Sequence, residues 1–321
     1  MSTDIKQGMI AVVGLGLMGR SIVACLLAAG HRVTGVTNDL AASASTPEMI
    51  RELLEEMRRE ALLTADAGLV MSNFVLSGSI KDAAEAEILI ESITEDLEMK
   101  RSLLREAEGV VSETCILATN TSALPVSLMQ KGLAHPERVI GIHWDEPAHV
   151  TRFMEIIPGE VTTPALVEHV AKLAENWGKE PSILRKEIRG FITNRISYAM
   201  YREACSLVDS GVCTVEDVDR SLRNDVGWWI PFVGPFRYMD LMGVESYARV
   251  MKDLLPDLST GGQVPKLMSD VIESGGRGIA NGRGFYQYTE EEARAWEAKF
   301  LEFNYRIRRL TAECTGPSDK S

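Results

Sequence analysis

An unbroken apolar run, Met9 to Val13, leads straight into Gly14-Leu15-Gly16-Leu17-Met18-Gly19 and then into an Ala- and Leu-rich segment, Ile22 to Ala29, that ends at Gly30. Such a run suits a strand buried on both faces of a parallel sheet. In a G-x-G-x-x-G turn the first glycine makes the tight bend, the second lets a phosphate approach the backbone, and the third allows close helix–strand packing. The helix that follows offers free N–H groups and the positive end of its dipole to a pyrophosphate. Strand, glycine turn and helix in this order imply a dinucleotide site, with Gly14, Gly16, Leu17, Met18 and Gly19 against the ligand.

The rest of the first half keeps the same alternation. A second strand is expected at Arg32–Val36, and a helix from Glu48 to about Leu63 after Thr46-Pro47, proline being favoured in a first turn. Short apolar runs recur at Ile88–Ile90, Ile116–Ala118 and Val139–Ile142, separated by helical stretches at Glu95–Glu108 and Pro125–Leu133. Phe153–Ile157 and Ser182–Leu184 read as edge strands around a helix at Pro164–Trp177. Strands alternating with helices predict a doubly wound parallel sheet of the Rossmann type.

From Ile196 onward the pattern is helical. Ile196, Met200, Leu207 and Val208 share one helix face, and Trp296, Phe300, Phe303, Ile307 and Leu310 form a second apolar stripe. The chain of 321 residues is about twice the size of one ordinary core. It is therefore read as α/β: a dinucleotide-binding domain over 1–189 and an all-α domain for substrate and dimerisation over 190–321.

Charge and cysteine content narrow the function. A formal net charge of −12 argues against a nucleic-acid partner. No apolar run approaches the ~20 residues that cross a bilayer, so no membrane partner is expected. Met1 to Gly8 is polar, unlike a secretory leader. Five scattered cysteines (Cys25, Cys115, Cys205, Cys213 and Cys314) without a Cys-x-x-Cys pair suggest reduced thiols in the cytoplasm. His143 and His149 lack a cysteine neighbour, and no metal is expected. His31, His135 and His169 read as surface or loop histidines.

The second strand ends Gly35-Val36-Thr37-Asn38-Asp39, so Thr37 stands where an acid usually grips the adenosine ribose. Asn38 or Asp39 is the alternative contact. No Arg or Lys follows closely to hold a 2′-phosphate, which favours NAD over NADP.

Several segments together resemble the 3-hydroxyacyl-CoA dehydrogenase family: Ala118-Thr119-Asn120-Thr121-Ser122, Gly141-Ile142-His143, Met154-Glu155, Gly190-Phe191-Ile192-Thr193-Asn194-Arg195, Glu91 through Lys100, and Gly282-Arg283-Gly284-Phe285-Tyr286. They span almost the whole chain in the family's order. The resemblance implies an NAD-dependent oxidoreductase in which His143 is the catalytic base and Glu155 orients it. It also implies that Ser122 and Asn194 donate hydrogen bonds to substrate oxygens, and that Glu95 and Lys100 line the nicotinamide ribose. The chemistry is coherent: histidine suits proton exchange with a secondary alcohol near neutrality, and a carboxylate behind it fixes the tautomer. Taken alone, Ser122 and Asn194 also fit helix N-caps.

The sequence departs from the family pattern at Glu146, where the acyl-CoA members usually carry Asn, and at Gln287, where they usually carry Lys. The segment Gly227-Trp228-Trp229-Ile230-Pro231-Phe232-Val233-Gly234-Pro235 looks more like the L-gulonate 3-dehydrogenase, lambda-crystallin and L-carnitine dehydrogenase branch, with Trp229 in place of its usual Arg. Over Glu48–Glu60, where acyl-CoA relatives present lysines, arginines are interleaved with glutamates. The small-molecule substrate is then a 3-hydroxyacyl-CoA or a free 3-hydroxy or sugar acid. A non-catalytic NAD-binding structural protein is the contrasting possibility, and a homodimer is the expected assembly.

Overall fold

Strands β1 (Met9–Val13), β2 (Arg32–Val36), β3 (Phe74–Ser77), β4 (Ile88–Glu91), β5 (Ile116–Thr119), β6 (Val139–Trp144), β7 (Phe153–Pro158) and β8 (Glu180–Ile183) form one sheet in the order β3-β2-β1-β4-β5-β6-β7-β8. This computed structural model describes residues 8–314. The leader expectation for Met1 to Gly8 rests on residues 1–7, which lie outside the described residues.

Every pairing from β3 across to β6 is parallel, as the strand–helix alternation predicts. The β6–β7 pair is antiparallel. Its connection, 145–152, is too short for the dozen or more residues of a parallel crossover, so the chain must turn back beside itself. Helix α6 then carries the chain over to β8, parallel to β7. The strand order reverses between β1 and β4, which opens a crevice at their carboxyl ends, the usual ligand position in such sheets.

The first unit's helices are α1 (Leu17–Ala28), α2 (Thr46–Arg59), α3 (Ala67–Met71), α4 (Leu97–Glu108), α5 (Val126–Gln130) and α6 (Pro164–Asn176). Both faces of the sheet are covered. Ile10 and Val12 of β1 pack with Ile22, Leu26, Ile50, Leu54 and Val170 of α1, α2 and α6. Their strand neighbours Ala11 and Val13 pack with Leu104 and Ala107 of α4 and Met129 of α5. The strict alternation of a strand buried on both faces explains why β1 reads as a continuous apolar run.

Several sequence expectations need correction. Strand β3 was not anticipated: it is a sheet edge with only Ser77 fully buried, so it lacks a continuous apolar signal. Strand β7 is interior, between β6 and β8, so of these two strands only β8 is an edge. Helix α2 starts at Thr46 and ends at Arg59, short of Leu63. His31 is buried rather than superficial: its Nε2 accepts from Trp177 Nε1 at 3.0 Å, and burial holds its pKa below the ordinary histidine value.

The chain divides into two units, Met1–Asn194 and Arg195–Ser321. The second is built of α7 (Thr193–Asp209, whose first two residues fall in the first unit), α8 (Val215–Asn224), α9 (Val226–Trp229), α10 (Pro235–Met242), α11 (Val244–Leu254), α12 (Lys266–Glu273) and α13 (Glu290–Cys314). Among the described residues it contains isolated bridges at Gly278, Arg283 and Gln287 and no strand. The Gly282-Arg283-Gly284-Phe285-Tyr286 motif is structural there. A Cβ on Gly282 would meet the Tyr288 carbonyl at 2.5 Å, and the Tyr286 hydroxyl donates to Asp219 at 2.7 Å. Trp229 lies half-buried, stacked face to face on Tyr238 at 4.1 Å, whereas Trp228 is exposed. Trp296, Phe300, Phe303 and Leu310 of α13 are all exposed.

Candidate active site and cofactor cavity

His143 and Glu155 are direct partners across the antiparallel β6–β7 pair. Facing residues of such a pair project to the same side of the sheet, so the fold itself brings the two side chains together. His143 Nδ1 lies 2.8 Å from Glu155 Oε2. Phe153 meets the imidazole edge-on at 5.4 Å and Phe191 tilts against it at 5.6 Å, which fixes the ring plane.

Glu155 has no exposed surface. Its second oxygen accepts the N–H groups of Ile192 at 3.0 Å and Thr193 at 2.9 Å. These amides lie at the start of α7, where unsatisfied donors and the helix dipole favour an anion. The preceding turn aims them: Gly190 and Phe191 both have left-handed backbones, with φ of 79° and 53°. That conformation is costly for a phenylalanine and is retained only when its surroundings fix it. Phe191 is fully buried beside the imidazole, which supplies that constraint. Burial works to raise the Glu155 pKa, but the bonds from His143, Thr193 and Ile192 outweigh it and hold the carboxyl below its ordinary value.

A carboxylate can only accept, so its bond requires a proton on His143 Nδ1. In the neutral ring the lone pair is then on Nε2. The arrangement is a histidine with one nitrogen committed to a buried anion and the other available as a base.

Ser122 and Asn194 are also brought together: Asn194 Nδ2 donates to the Ser122 carbonyl at 2.9 Å. Neither is an N-cap. The cap of α5 is Pro125, and Asn194 lies inside the first turn of α7. The loop carrying Ser122 is held by Glu95, whose Oε1 accepts from Thr121 Oγ1 at 2.6 Å and from the N–H groups of Ser122 and Ala123 at 2.9 and 3.1 Å. Desolvation opposes ionisation of Glu95, yet these bonds and the Lys100 charge keep its pKa below the ordinary value.

Lys100 stands behind Glu95. Its side chain has no exposed surface, and its ammonium lies 2.7 Å from Glu91 and 3.3 Å from Glu95. Glu91 is itself buried, accepting from Thr119 Oγ1 and Ile93 N as well. The lysine therefore acts behind Glu95. Sequence reasoning also missed Asn120, which accepts from Trp144 N at 3.0 Å and donates to Ser92 Oγ at 3.2 Å, tying the ends of β4, β5 and β6 together. Its signal was its place inside the Ala118–Ser122 motif.

A cavity of about 600 Å³ lies at the crevice between β1 and β4. Gly14, Gly16 and Thr37 line it, with Asn38, Ser43 and Ile93. Leu17 is exposed and Met18 half-buried at the start of α1. The glycines have distinct roles. A Cβ on Gly19 would stand 1.9 Å from the Gly14 carbonyl, so close packing of α1 on the turn demands glycine. A Cβ on Gly16 would meet nothing within 4 Å and would project into open space, leaving room for a phosphate to reach the backbone. This cradle fits a dinucleotide, with α1's free N–H groups at the pyrophosphate position.

The family model for the 3-hydroxyacyl-CoA dehydrogenase NAD-binding domain matches residues 9–188, and that for the corresponding C-terminal domain matches residues 190–288. The chain is 32% identical to the 5-formyl-3-hydroxy-2-methylpyridine 4-carboxylate 5-dehydrogenase of Mesorhizobium japonicum, over 94% of this chain and 97% of that one. It is 30% identical to a probable 3-hydroxybutyryl-CoA dehydrogenase of Bacillus subtilis, over 90% and 99% of the two chains. A crystal structure of a 5-formyl-3-hydroxy-2-methylpyridine 4-carboxylic acid 5-dehydrogenase, described as an NAD⁺-dependent dismutase, superposes with a TM-score of 0.89 at 30% identity, covering 95% of this chain and 98% of that chain.

Proposed function

The chain belongs to the 3-hydroxyacyl-CoA dehydrogenase family of NAD-dependent enzymes acting on CH–OH groups, and on that footing we propose that His143 is its catalytic base, oriented by Glu155. The observation that carries this reading is the buried cross-strand pair at 2.8 Å. Bound NAD supplies the hydride acceptor. The chain manages the proton: Nε2 of His143 takes it from the substrate hydroxyl during oxidation and returns it during reduction. Glu155 stabilises the imidazolium so formed. The Ser122 hydroxyl is exposed, and Asn194 Nδ2 keeps a second N–H beyond the one given to Ser122. Both donate to substrate oxygens. Gly14, Gly16, Leu17 and Met18 hold the pyrophosphate and Gly19 lets α1 pack against their turn, while Thr37 and Asn38 meet the adenosine ribose. Glu95, backed by Lys100, lines the nicotinamide ribose. These roles divide the chain into an NAD-binding domain over 1–189 and a helical domain over 190–321 for substrate and dimerisation.

The substrate is a small free hydroxy acid or related carbonyl compound rather than a CoA thioester. CoA phosphates are best met by unpaired cations. On α2, Arg51 lies 3.8 Å from Glu48 and Arg58 lies 3.5 Å from Glu55, so neighbouring acids already offset these charges. The whole-length similarity to a dehydrogenase named for a free pyridine carboxylate supports the same choice. NADH formation across matched panels of free 3-hydroxy acids, pyridine carbinols, pyridine aldehydes reacting as their hydrates, and 3-hydroxyacyl-CoAs tests it. Free compounds are expected to have at least tenfold higher kcat/KM. A reversed ranking returns the chain to acyl-CoA chemistry.

We place the protein in the cytoplasm as a homodimer. None of its five cysteines is in a disulfide, which suits a reducing compartment. The exposed aromatic stripe of α13 is large enough to call for a covering surface, and a second copy supplies one symmetrically.

A further inference from the structure

The cofactor cavity carries, beside the glycine turn, an arginine that sequence order conceals. Arg20 lies in the second turn of α1, far in sequence from the β2 end, yet it lines the same cavity as Thr37, Ser43 and Thr46. Its Nη1 donates to the Leu15 carbonyl at 3.2 Å. A guanidinium has five N–H donors, so others remain for a ligand.

The residue that normally excludes a 2′-phosphate is missing. In NAD-selective sites an acid after the second strand bonds the ribose 2′-hydroxyl and repels a phosphate there, while a nearby arginine accommodates one. Here Thr37 Oγ1 accepts the Asp39 N–H at 3.3 Å and lies 2.9 Å from Ser43 Oγ, a neutral pair that uses one hydroxyl proton between its members and leaves the other to donate. Asp39 is the acid on the cavity wall near this position, and its Oδ1 accepts the Ala42 N–H at 2.9 Å within the turn that follows β2. That turn directs the carboxylate to the backbone.

We propose that this end of the cavity reads the ribose through the Thr37–Ser43 hydroxyls and meets a 2′-phosphate with Arg20, so that the protein binds NADP(H) as well as NAD(H). The inference rests on the dehydrogenase reading and deepens it by naming the cofactor class. An arginine–phosphate pair is a charge-assisted contact with directional donors, whereas the hydroxyl pair bonds a ribose hydroxyl or a phosphate oxygen equally well.

Fluorescence titration of the full chain with NADH and with NADPH tests it without any substrate. The wild type is expected to bind NADPH within about tenfold of NADH. Arg20→Ala should raise the NADPH-to-NADH Kd ratio at least tenfold, and Thr37→Asp should do the same by placing an anion at the phosphate position. Thr37 is partly exposed near a turn, so this second variant keeps the test open if the first fails to fold. NADPH binding more than tenfold weaker than NADH in the wild type overturns the inference. So does an unchanged ratio in either folded variant; equal weakening of both nucleotides in Arg20→Ala would assign Arg20 to the pyrophosphate instead. Failure to bind either nucleotide overturns the dehydrogenase reading along with it, whereas NADH binding with NADPH excluded overturns this inference alone.

Discussion

Glu155 unites the geometry and the titration behaviour of the site. Its carboxylate accepts from His143, Ile192 and Thr193, and its folded pKa is depressed. A group of that kind stabilises the fold above its unfolded pKa and loses the contribution as pH falls through the lower folded value. The sensitive window therefore lies below the ordinary carboxylate range of about 4 to 4.5. Denaturation across that window should show wild-type stability dropping steeply, and Glu155→Gln should flatten the drop. Equal acid slopes in the two proteins would remove Glu155 from the linkage. In turnover, Glu155→Gln should cost somewhat less than loss of the base, because histidine remains but its Nδ1 proton is no longer held by an anion. His143 and Glu155 were legible through the motifs around them. The burial of Lys100 was not legible, because no local pattern reveals that its ammonium ends between Glu91 and Glu95.

At the scale of elements, the glycine turn makes two separable demands. Gly19 is required by packing, since its Cβ would strike the Gly14 carbonyl, while Gly16 borders open cavity. Gly19→Val should lower both Tm and NAD affinity. Gly16→Val should leave Tm within a few degrees of wild type and weaken NAD binding by tenfold or more. Matching losses of Tm would show that the two glycines share one structural role. Periodicity revealed β1, β2 and β4 to β6 because their core-facing residues are continuous or nearly so. Strand β3 stayed hidden because it is a half-exposed edge, and the interior position of β7 depends on the short 145–152 connection. Burial of His31 follows from Trp177, 146 residues away, which no local window can register.

At the scale of the whole molecule, the two units differ in how well each buries its own apolar surface. The first has continuous cores on both sheet faces. In the second, among the described residues, the buried apolar side chains are Cys205, Val233 and Tyr305, while α13 exposes Trp296, Phe300, Phe303 and Leu310. The α13 stripe was legible as a helical repeat, but spacing alone does not say whether a stripe is covered. Sedimentation should report twice the chain mass, and Phe303→Glu should shift the protein toward monomer. A monomeric wild type would contradict the assembly. The role of His143 as base is tested by comparing wild type with His143→Gln in NADH formation on the best substrate, with NAD affinity titrated in parallel. The expected result is turnover lowered by about 10²–10⁴, the usual worth of a positioned acid–base, with NAD binding nearly intact. Normal turnover by a folded, NAD-binding His143→Gln protein would contradict it.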